Sequence, residues 1–273
     1  MKSTTTYTKD GVINIKELIF VKLGGSIITE KSKARTARYD TIARLAHELH
    51  EAKTQKNLKI IVGHGGGSYP HQSATQYQTH RGIINEKSHK GIAIVQNDAS
   101  TLNRIIVESF LKAGENAISV QPSACAITEN STITEWYTEP IKLMLKNNLL
   151  PIPYGDAVMD TKKGCSIIST EQILSYLAKP LGAKKIILVG KVDGVLDSEN
   201  NLIPKITKEN FLQVKPLLRG SDSSDVTGGM LHKVEQMLNL AQSGITSEII
   251  NGETPGNLKK ALLGTKIKNT VIE

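Results

Sequence analysis

The feature of this sequence that most constrains its fold is a regular alternation between short β-branched runs and longer runs of helical period. Glycine, asparagine or aspartate stands at many of the junctions between them. The pattern predicts buried strands over 18–23, 58–62, 117–120, 150–154, 185–189, 247–250 and 265–271. It predicts helices over 39–52, 93–113, 170–178, 227–242 and 255–263. Such alternation is typical of an α/β fold with a largely parallel sheet.

Length and composition exclude several classes of protein. The chain has 273 residues, of which 39% are hydrophobic and 22% charged, as in a globular protein of one large domain or two fused lobes. No apolar run approaches the ~18 to 20 residues that span a bilayer, so we expect a cytoplasmic protein with no membrane partner. Cys125 and Cys165 show no CxxC spacing. Neither a disulfide framework nor a cysteine zinc site is therefore expected.

The excess of basic residues does not indicate a nucleic-acid partner. With 34 basic and 26 acidic side chains the formal charge is +8, but the lysines are dispersed along the chain. Aromatic residues make up 4% of the chain, too few for base-stacking platforms. A mild positive field also attracts a small phosphorylated substrate, and we favour that interpretation.

Four glycine-bearing junctions follow predicted strands, where ligands bind in open α/β sheets. Glycines at these places let backbone N–H groups approach an anion, and a Gly-Gly pair that opens a helix invites phosphate. Neither GxxxxGK[ST] nor a GxGxxG in a dinucleotide-binding context occurs, so a P-loop NTPase and a dehydrogenase are disfavoured. The junctions are 21–26 with Gly24 and Gly25, 63–71 with three consecutive glycines, Gly155 with Asp156, and 225–230 with Gly228 and Gly229.

Anion-binding loops in opposite halves of the chain predict phosphoryl transfer between two phosphate-bearing ligands. The transition state of that reaction is loose and highly charged, so catalysis consists of positioning and electrostatic stabilisation. Lysines are suited to this task. Lys22, Lys31 and Lys233 are the candidates that lie beside the glycine junctions.

The motifs in 22–32, 64–71, 154–156, 192–195, 225–229 and 250–252 resemble, in order, those of the amino-acid kinase superfamily and, within it, the isopentenyl phosphate kinases. The likeness covers about residues 17–270. It implies a three-layer α/β/α sandwich around a largely parallel sheet, built as a single domain over 1–273. The acceptor-binding lobe would span 17–180 and the nucleotide-binding lobe 181–273. The assembly implied is a homodimer.

The resemblance also implies a set of site residues. Lys22 and Lys233 would bracket the transferred group, Lys31 would add charge, and Asp156 would organise the lysines. His71 would hold the phosphate of the acceptor. The nucleotide would contact Lys22, Gly24, Gly25, Ser26, Gly190, Lys191, Val192, Asp193, Gly194, Thr227, Gly228, Gly229 and Lys233. The acceptor would contact Gly66, Gly67, His71, Gly155 and Thr170, with its apolar tail near the 93–110 helix.

The activity implied is the ATP-dependent phosphorylation of isopentenyl phosphate to isopentenyl diphosphate, in an alternate mevalonate route to isoprenoids. Mg²⁺ would be carried by the nucleotide, with no metal site made by the protein alone. No general base is required, because an acceptor phosphate is already ionised at neutral pH. A phosphonate such as fosfomycin is an alternative acceptor, since it presents a similar anionic group on a smaller body.

Two departures from the family pattern favour a further alternative, a binding protein with weak catalysis. Pro70 stands where the family has glycine, which removes a backbone donor just before His71. The segment Ser169-Thr170-Glu171-Gln172 stands where the family tends to have Ser-Gly-Asp-Asp. Retention of all three lysines favours catalysis.

Overall fold

The computed structural model describes residues 17–218 and 229–273. The strands in that part of the chain are β1 Leu18–Leu23, β2 Lys59–His64, β3 Ala117–Val120, β4 Ala126–Glu129, β5 Thr132–Trp136, β6 Leu150–Pro153, β7 Asp156–Asp160, β8 Gly164–Ile168, β9 Lys185–Gly190, β10 Val195–Leu196, β11 Leu202–Ile203, β12 Lys205–Ile206, β13 Thr246–Asn251 and β14 Asn269–Ile272. The helices are α1 Gly25–Ile28, α2 Tyr39–Lys56, α3 Pro70–Gln76, α4 Lys87–Lys112, α5 Glu139–Lys146, α6 Thr170–Leu181, α7 Phe211–Val214, α8 Gly229–Ala241 and α9 Asn257–Leu263. Short 3₁₀ turns occupy Thr79–Arg81, Pro122–Ala124 and Lys215–Leu218.

The main sheet has six strands in the order β12-β14-β13-β9-β1-β2. All of its pairings are parallel except that between β13 and β14. β6 lies beside β2 through a parallel bridge between His64 and Tyr154, and β3 pairs in parallel with β6. The largely parallel α/β sheet expected from the sequence is therefore confirmed.

Alternating side chains of β1 show how the three layers form. Leu18 and Phe20 are fully buried on one face, in the apolar core that contains the buried side chains of α6 and α8. Ile19, Val21 and Leu23 point to the opposite face, against α2, α4 and α9. Because a strand buried on both faces carries apolar residues throughout, this segment was readable from the sequence.

A second, four-stranded sheet with the order β5-β4-β7-β8 was not predicted. Its β4–β5 and β7–β8 pairs are antiparallel. Part of one face packs on α3 and α4 through a small cluster of Ala74, Val95, Ala157 and Cys165. No helix in the described part of the chain is both long and apolar enough to cross a membrane.

Candidate active site

The first two glycine loops meet at the carboxyl ends of β1 and β2. The N–H of Gly24 donates to Val189 O at the end of β9 (2.9 Å), and that of Gly65 donates to Leu23 O (3.0 Å). A β-carbon on Gly25 would lie 2.5 Å from the backbone nitrogen of Gly67, so the two loops touch with no room for a side chain. Gly67 also has a φ of +53°, in the region that favours glycine.

The remaining loops of the acceptor side close on the same point. His64 O accepts hydrogen bonds from Gly155 N (3.2 Å) and from Thr170 Oγ1 (2.6 Å). Gly66 packs against the ring of Pro70, and Ser68 N donates to Thr29 Oγ1 (3.0 Å). The structure thus brings together the ends of β1, β2, β6, β8 and β9, which are far apart in the sequence.

Lys22 lies at the centre of this junction and is paired with Glu171. Its Nζ donates to Glu171 Oε1 at 2.7 Å, and both side chains are about nine-tenths buried. Burial would raise the pKa of Glu171, but the charges of Lys22 and Lys233 and the hydrogen bond from Lys22 hold that pKa below its ordinary value. The carboxylate therefore sits in the field of two of the three candidate lysines.

Asp156, which the family resemblance implied as the organiser of the lysines, makes different contacts. Its Oδ2 accepts from Ser123 N (3.0 Å) and its Oδ1 from Ala157 N (2.8 Å). Burial raises the pKa of Asp156, against these hydrogen bonds. Neither partner is a lysine, so the contact with Lys22 belongs to Glu171. The signal for Glu171 was an acidic residue in the first turn of a helix at a strand end.

The segment 169–172 begins α6 with a capping box. Ser169 Oγ accepts from Gln172 N (3.2 Å), and Gln172 Oε1 accepts from Ser169 N (2.8 Å). Thr170 is buried, and its methyl group stands against Gly63, whose side-chain space it fills. The departures from the family pattern thus form a complete helix start that aims Glu171 at Lys22.

Pro70 is accommodated in a similar way. It occupies the first position of α3, where a helix leaves the backbone N–H unpaired in any case. The bond between Tyr69 and Pro70 is trans. His71 follows as an exposed residue in the first turn of α3. The loss of a donor at this position therefore costs α3 no hydrogen bond.

His64 precedes the glycine turn and is buried. Its ring stacks on Tyr154 with a centroid distance of 5.6 Å, and its Nε2 accepts from Asn103 Nδ2 (3.0 Å). Burial lowers the pKa of His64 to about 4, with a further contribution from the charge of Lys22. The ring is therefore neutral at pH 7, and it packs against Tyr154 at the end of β2.

Lys31 is exposed in the turn between α1 and α2. The turn is closed by the hydrogen bond from Glu30 N to Thr36 O (2.9 Å). Arg38, at the end of the turn, forms a bidentate ion pair with Glu253 (2.6 and 3.0 Å) and donates to Ile27 O (3.1 Å). This arginine ties α1 to the segment that follows β13.

The predicted nucleotide-contact residues 190–194 follow β9 at the same sheet edge. Gly190 O accepts from Gly252 N (2.8 Å), and apart from its chain neighbours no residue comes within 4 Å of where its β-carbon would stand. Lys191 and Val192 are exposed, Asp193 Oδ1 accepts from Asn251 Nδ2 (3.0 Å), and Gly194 packs tightly against Thr270.

The last glycine junction is described only from Gly229, which begins α8 with a φ of +64°. Ser26 lies in α1, next to Gly24 and Gly25. The candidate nucleotide contacts Thr227 and Gly228 lie outside the described residues. Lys233 lies in the first turns of α8, from where its charge acts on Glu171.

The class of protein follows from a comparison with known families. The amino acid kinase family matches residues 17–251. Isopentenyl phosphate kinase from Methanocaldococcus jannaschii is 36% identical over 265 residues, which covers 94% of this chain and 98% of that protein. The enzyme of the same name from Methanothermobacter thermautotrophicus is 33% identical, covering 93% and 98% of the two chains.

A solved isopentenyl phosphate kinase structure superposes with a TM-score of 0.81 at 30% identity, covering 94% of this chain and all of that one. The chain belongs to the amino acid kinase family and, within it, to the isopentenyl phosphate kinases. It is therefore a small-molecule kinase, and the α/β/α fold implied by the sequence is confirmed.

Proposed function

We propose that this protein transfers the γ-phosphoryl group of ATP to the phosphate of isopentenyl phosphate, forming isopentenyl diphosphate. Beyond the family assignment, the observation that supports this proposal is the buried Lys22–Glu171 pair, with Lys233 acting on the same carboxylate, where the glycine loops meet. A transferred phosphoryl group needs cations held in place before it arrives.

The donor side is formed by Lys22, Gly24, Gly25 and Ser26 together with residues 190–194 and 227–229. Backbone N–H groups of the glycine loop would hold the phosphates of ATP, and Lys22 and Lys233 would stabilise charge on the moving group. Lys31 would add charge from its turn. The part of this assignment that concerns Thr227 and Gly228 depends on residues outside those described.

The acceptor side is formed by the Gly66-Gly67 turn, Gly155, Thr170 and His71. Thr170 contributes through its contact with the end of β2, because its hydroxyl donates to His64 O. His71 is exposed in the first turn of α3, where it can donate to a phosphate. The apolar tail would lie near the cluster of Ala74, Val95, Ala157 and Cys165, against which Ile92 and Ile167 pack.

We propose that Mg²⁺ enters with ATP and is held mainly by phosphate oxygens. Across residues 17–218 and 229–273, no group of three or more histidine, cysteine or acidic side chains is arranged to hold a metal ion. Glu171, the carboxylate that lies where the glycine loops meet, is already paired with Lys22. The metal would neutralise charge between the β- and γ-phosphates, and Lys22 would act beside it.

We also propose a cytoplasmic homodimer in which 17–180 carries the acceptor and 181–273 the nucleotide. β3 is an outer strand, and a cleft of about 390 Å³ runs between it and the outward face of α4, with Arg104, Leu111, Ser119 and Gln121 on its walls. We expect the second copy of the chain to cover this cleft. Sedimentation equilibrium tests this assembly.

The function is tested by ADP release with Mg·ATP and a panel of acceptors. The panel contains isopentenyl phosphate, dimethylallyl phosphate, fosfomycin, acetylglutamate, aspartate and uridine monophosphate. We expect the highest kcat/KM with isopentenyl phosphate, and the Lys22→Ala variant provides the background. A higher kcat/KM for fosfomycin would reassign the acceptor, and ATP binding without turnover on any member would contradict the proposal.

A further inference from the structure

A buried carboxylate outside the site connects the two sides of the active centre. Asp98 lies on α4 and is 2% exposed, although nothing in the proposed chemistry uses it. Its Oδ1 pairs with Arg35 Nη2 at 2.7 Å, and its Oδ2 accepts from Ser73 Oγ at 2.8 Å. A buried carboxylate is costly unless both oxygens are satisfied, and here both partners come from segments that carry candidate site residues.

The first partner, Arg35, belongs to the turn that carries Lys31. Its backbone N–H donates to Ser68 O (3.1 Å), and the next N–H, of Thr36, reaches Ser68 Oγ (3.4 Å). Arg35 adopts a φ of +47°, a left-handed conformation that is unfavourable for a residue with a side chain. The ion pair with Asp98 anchors this turn to α4, and the hydrogen bond from Arg35 N to Ser68 O joins the Lys31 turn to the residue that follows the glycine loop.

The second partner, Ser73, belongs to the helix that carries His71. Ser73 is buried in the first turns of α3, and its hydroxyl stands within 3.1 Å of Pro70 O as well as near Asp98. Ser73 thus holds the start of α3 against α4. The orientation of this first turn determines where the imidazole of His71 points.

We propose that Asp98 is a positioning residue that sets Lys31 and His71 relative to each other through Arg35 and Ser73. The inference rests on the proposed function, because it assumes that Lys31 acts on the transferred phosphoryl group and His71 on the acceptor. One carboxylate then fixes the distance between donor-side and acceptor-side groups. Phosphoryl transfer depends steeply on such positioning, since displacement of about 1 Å can cost about 100-fold in rate.

The kinetic test separates the two branches. Arg35→Gln releases only the turn, so kcat should fall about tenfold while the KM for isopentenyl phosphate stays within about twofold. Ser73→Ala releases only α3, so that KM should rise while kcat is kept. Asp98→Asn should do both. The Asp98→Asn/Arg35→Gln double variant should have the kcat of Asp98→Asn, because Arg35 acts through Asp98.

A matched control removes a comparable ion pair away from the site. Glu248 pairs with Lys185 at 2.7 Å near the amino ends of β13 and β9, and Glu248→Gln should leave both kinetic constants unchanged. Arg35 is 58% exposed, so Arg35→Gln should fold even if Asp98→Asn does not. Wild-type kcat and KM in both Arg35→Gln and Ser73→Ala would overturn the proposal, as would multiplicative losses in the double variant.

A measurement without substrate distinguishes this inference from the proposed function. Trypsin cleaves after Lys31 and Lys33 in the exposed turn, and mass spectrometry follows each cleavage. Cleavage at both positions should be several times faster in Asp98→Asn and Arg35→Gln than in wild type and Glu248→Gln. If trypsin cleaves the wild-type protein as fast as the variants, the Arg35–Asp98 pair does not anchor the turn. If wild type is inactive on isopentenyl phosphate but its turn is protected, only the proposed function fails.

Discussion

Replacement of Glu171 by glutamine is the most informative perturbation of the site. It removes one charge from a pair in which Lys22 Nζ and Glu171 Oε1 are 2.7 Å apart and the side chains are 10% and 9% exposed. Loss of one partner from such a buried pair costs about 3 to 5 kcal/mol, because the other charge remains uncompensated. Glutamine keeps an acceptor for Lys22, so we expect the lower end, about 3 kcal/mol.

The loss of stability should be visible in thermal unfolding. At 2 to 4 °C per kcal/mol for a chain of this size, Tm should fall by about 6 to 12 °C. Saturating ATP should narrow the gap between variant and wild type, because its phosphates supply negative charge to Lys22 and Lys233. Turnover should fall by about 10²- to 10³-fold, since the lysines lose the group that holds them.

The pH dependence gives an independent test with a definite sign. The folded-state pKa of Glu171 lies below its ordinary value of 4.5, so the carboxylate contributes stability that is present above pH 4.5 and is lost as pH falls through the folded pKa. The deficit of Glu171→Gln should therefore shrink in acid. Glu248→Gln serves as control and should lower the Tm less than Glu171→Gln does, because the side chains of Lys185 and Glu248 are 26% and 13% exposed. If Glu171→Gln had the Tm and kcat of wild type, the stabilising role of the Lys22–Glu171 pair would be refuted.

Three further predictions concern residues around the site. Unfolding free energy should fall as pH drops from 6.5 towards 4, by up to about 1.4 kcal/mol per pH unit, because the unfolded chain protonates His64 before the folded one does. Urea titrations should show that His64→Phe loses this part of the acid sensitivity, and an unchanged pH dependence would contradict the buried neutral ring. Gly67→Ala should destabilise by about 1 to 3 kcal/mol and lower turnover, because φ is +53° and the new methyl would meet Thr29; Gly182→Ala, with φ +72° and open space, should cost about 1 kcal/mol and keep turnover. Glu48→Gln should lower the unfolding free energy by about 1 to 3 kcal/mol with kcat unchanged, because Glu48 accepts from Gly256 N and Leu258 N at the start of α9 (2.9 and 3.1 Å); an unaltered denaturation midpoint would argue against that cap.

The sequence was most informative where burial is uniform along an element. β1 and β3 begin and end at the predicted residues, and β2, β6, β9 and β13 differ from the prediction by one or two residues at their ends. The strand predicted over 265–271 is β14, which begins four residues later, at Asn269. α4 begins at Lys87, six residues before the predicted start at 93, because its first turns are polar and their helical period is hidden. In one of these first turns Gly91 packs against Tyr77, a contact that the local sequence pattern does not predict.

The four-stranded sheet was missed because several of its buried positions are polar. Thr128, Asp160 and Ser166 lie inside it and are almost inaccessible to solvent. Thr128 Oγ1 lies 2.9 Å from Asp160 Oδ2 and 2.8 Å from Ser166 Oγ, and backbone N–H groups complete the bonding of the aspartate. Such residues read as loop in a hydrophobicity pattern, since their burial becomes favourable only through partners about 30 residues away.

The charged residues of the site were also only partly predictable from the sequence. The glycine junctions could be found from the sequence, because each is a short run of neighbouring residues at the end of a predicted strand. The choice between Asp156 and Glu171 was not local: both are buried carboxylates near strand ends, but burial raises the pKa of Asp156 whereas Lys22 and Lys233 hold that of Glu171 down. Only the fold decides which carboxylate receives the lysines. The negative charge of Glu171 offsets the repulsion between Lys22 and Lys233 before ATP binds. Both lysines are therefore already positioned to stabilise the negative charge of the transition state.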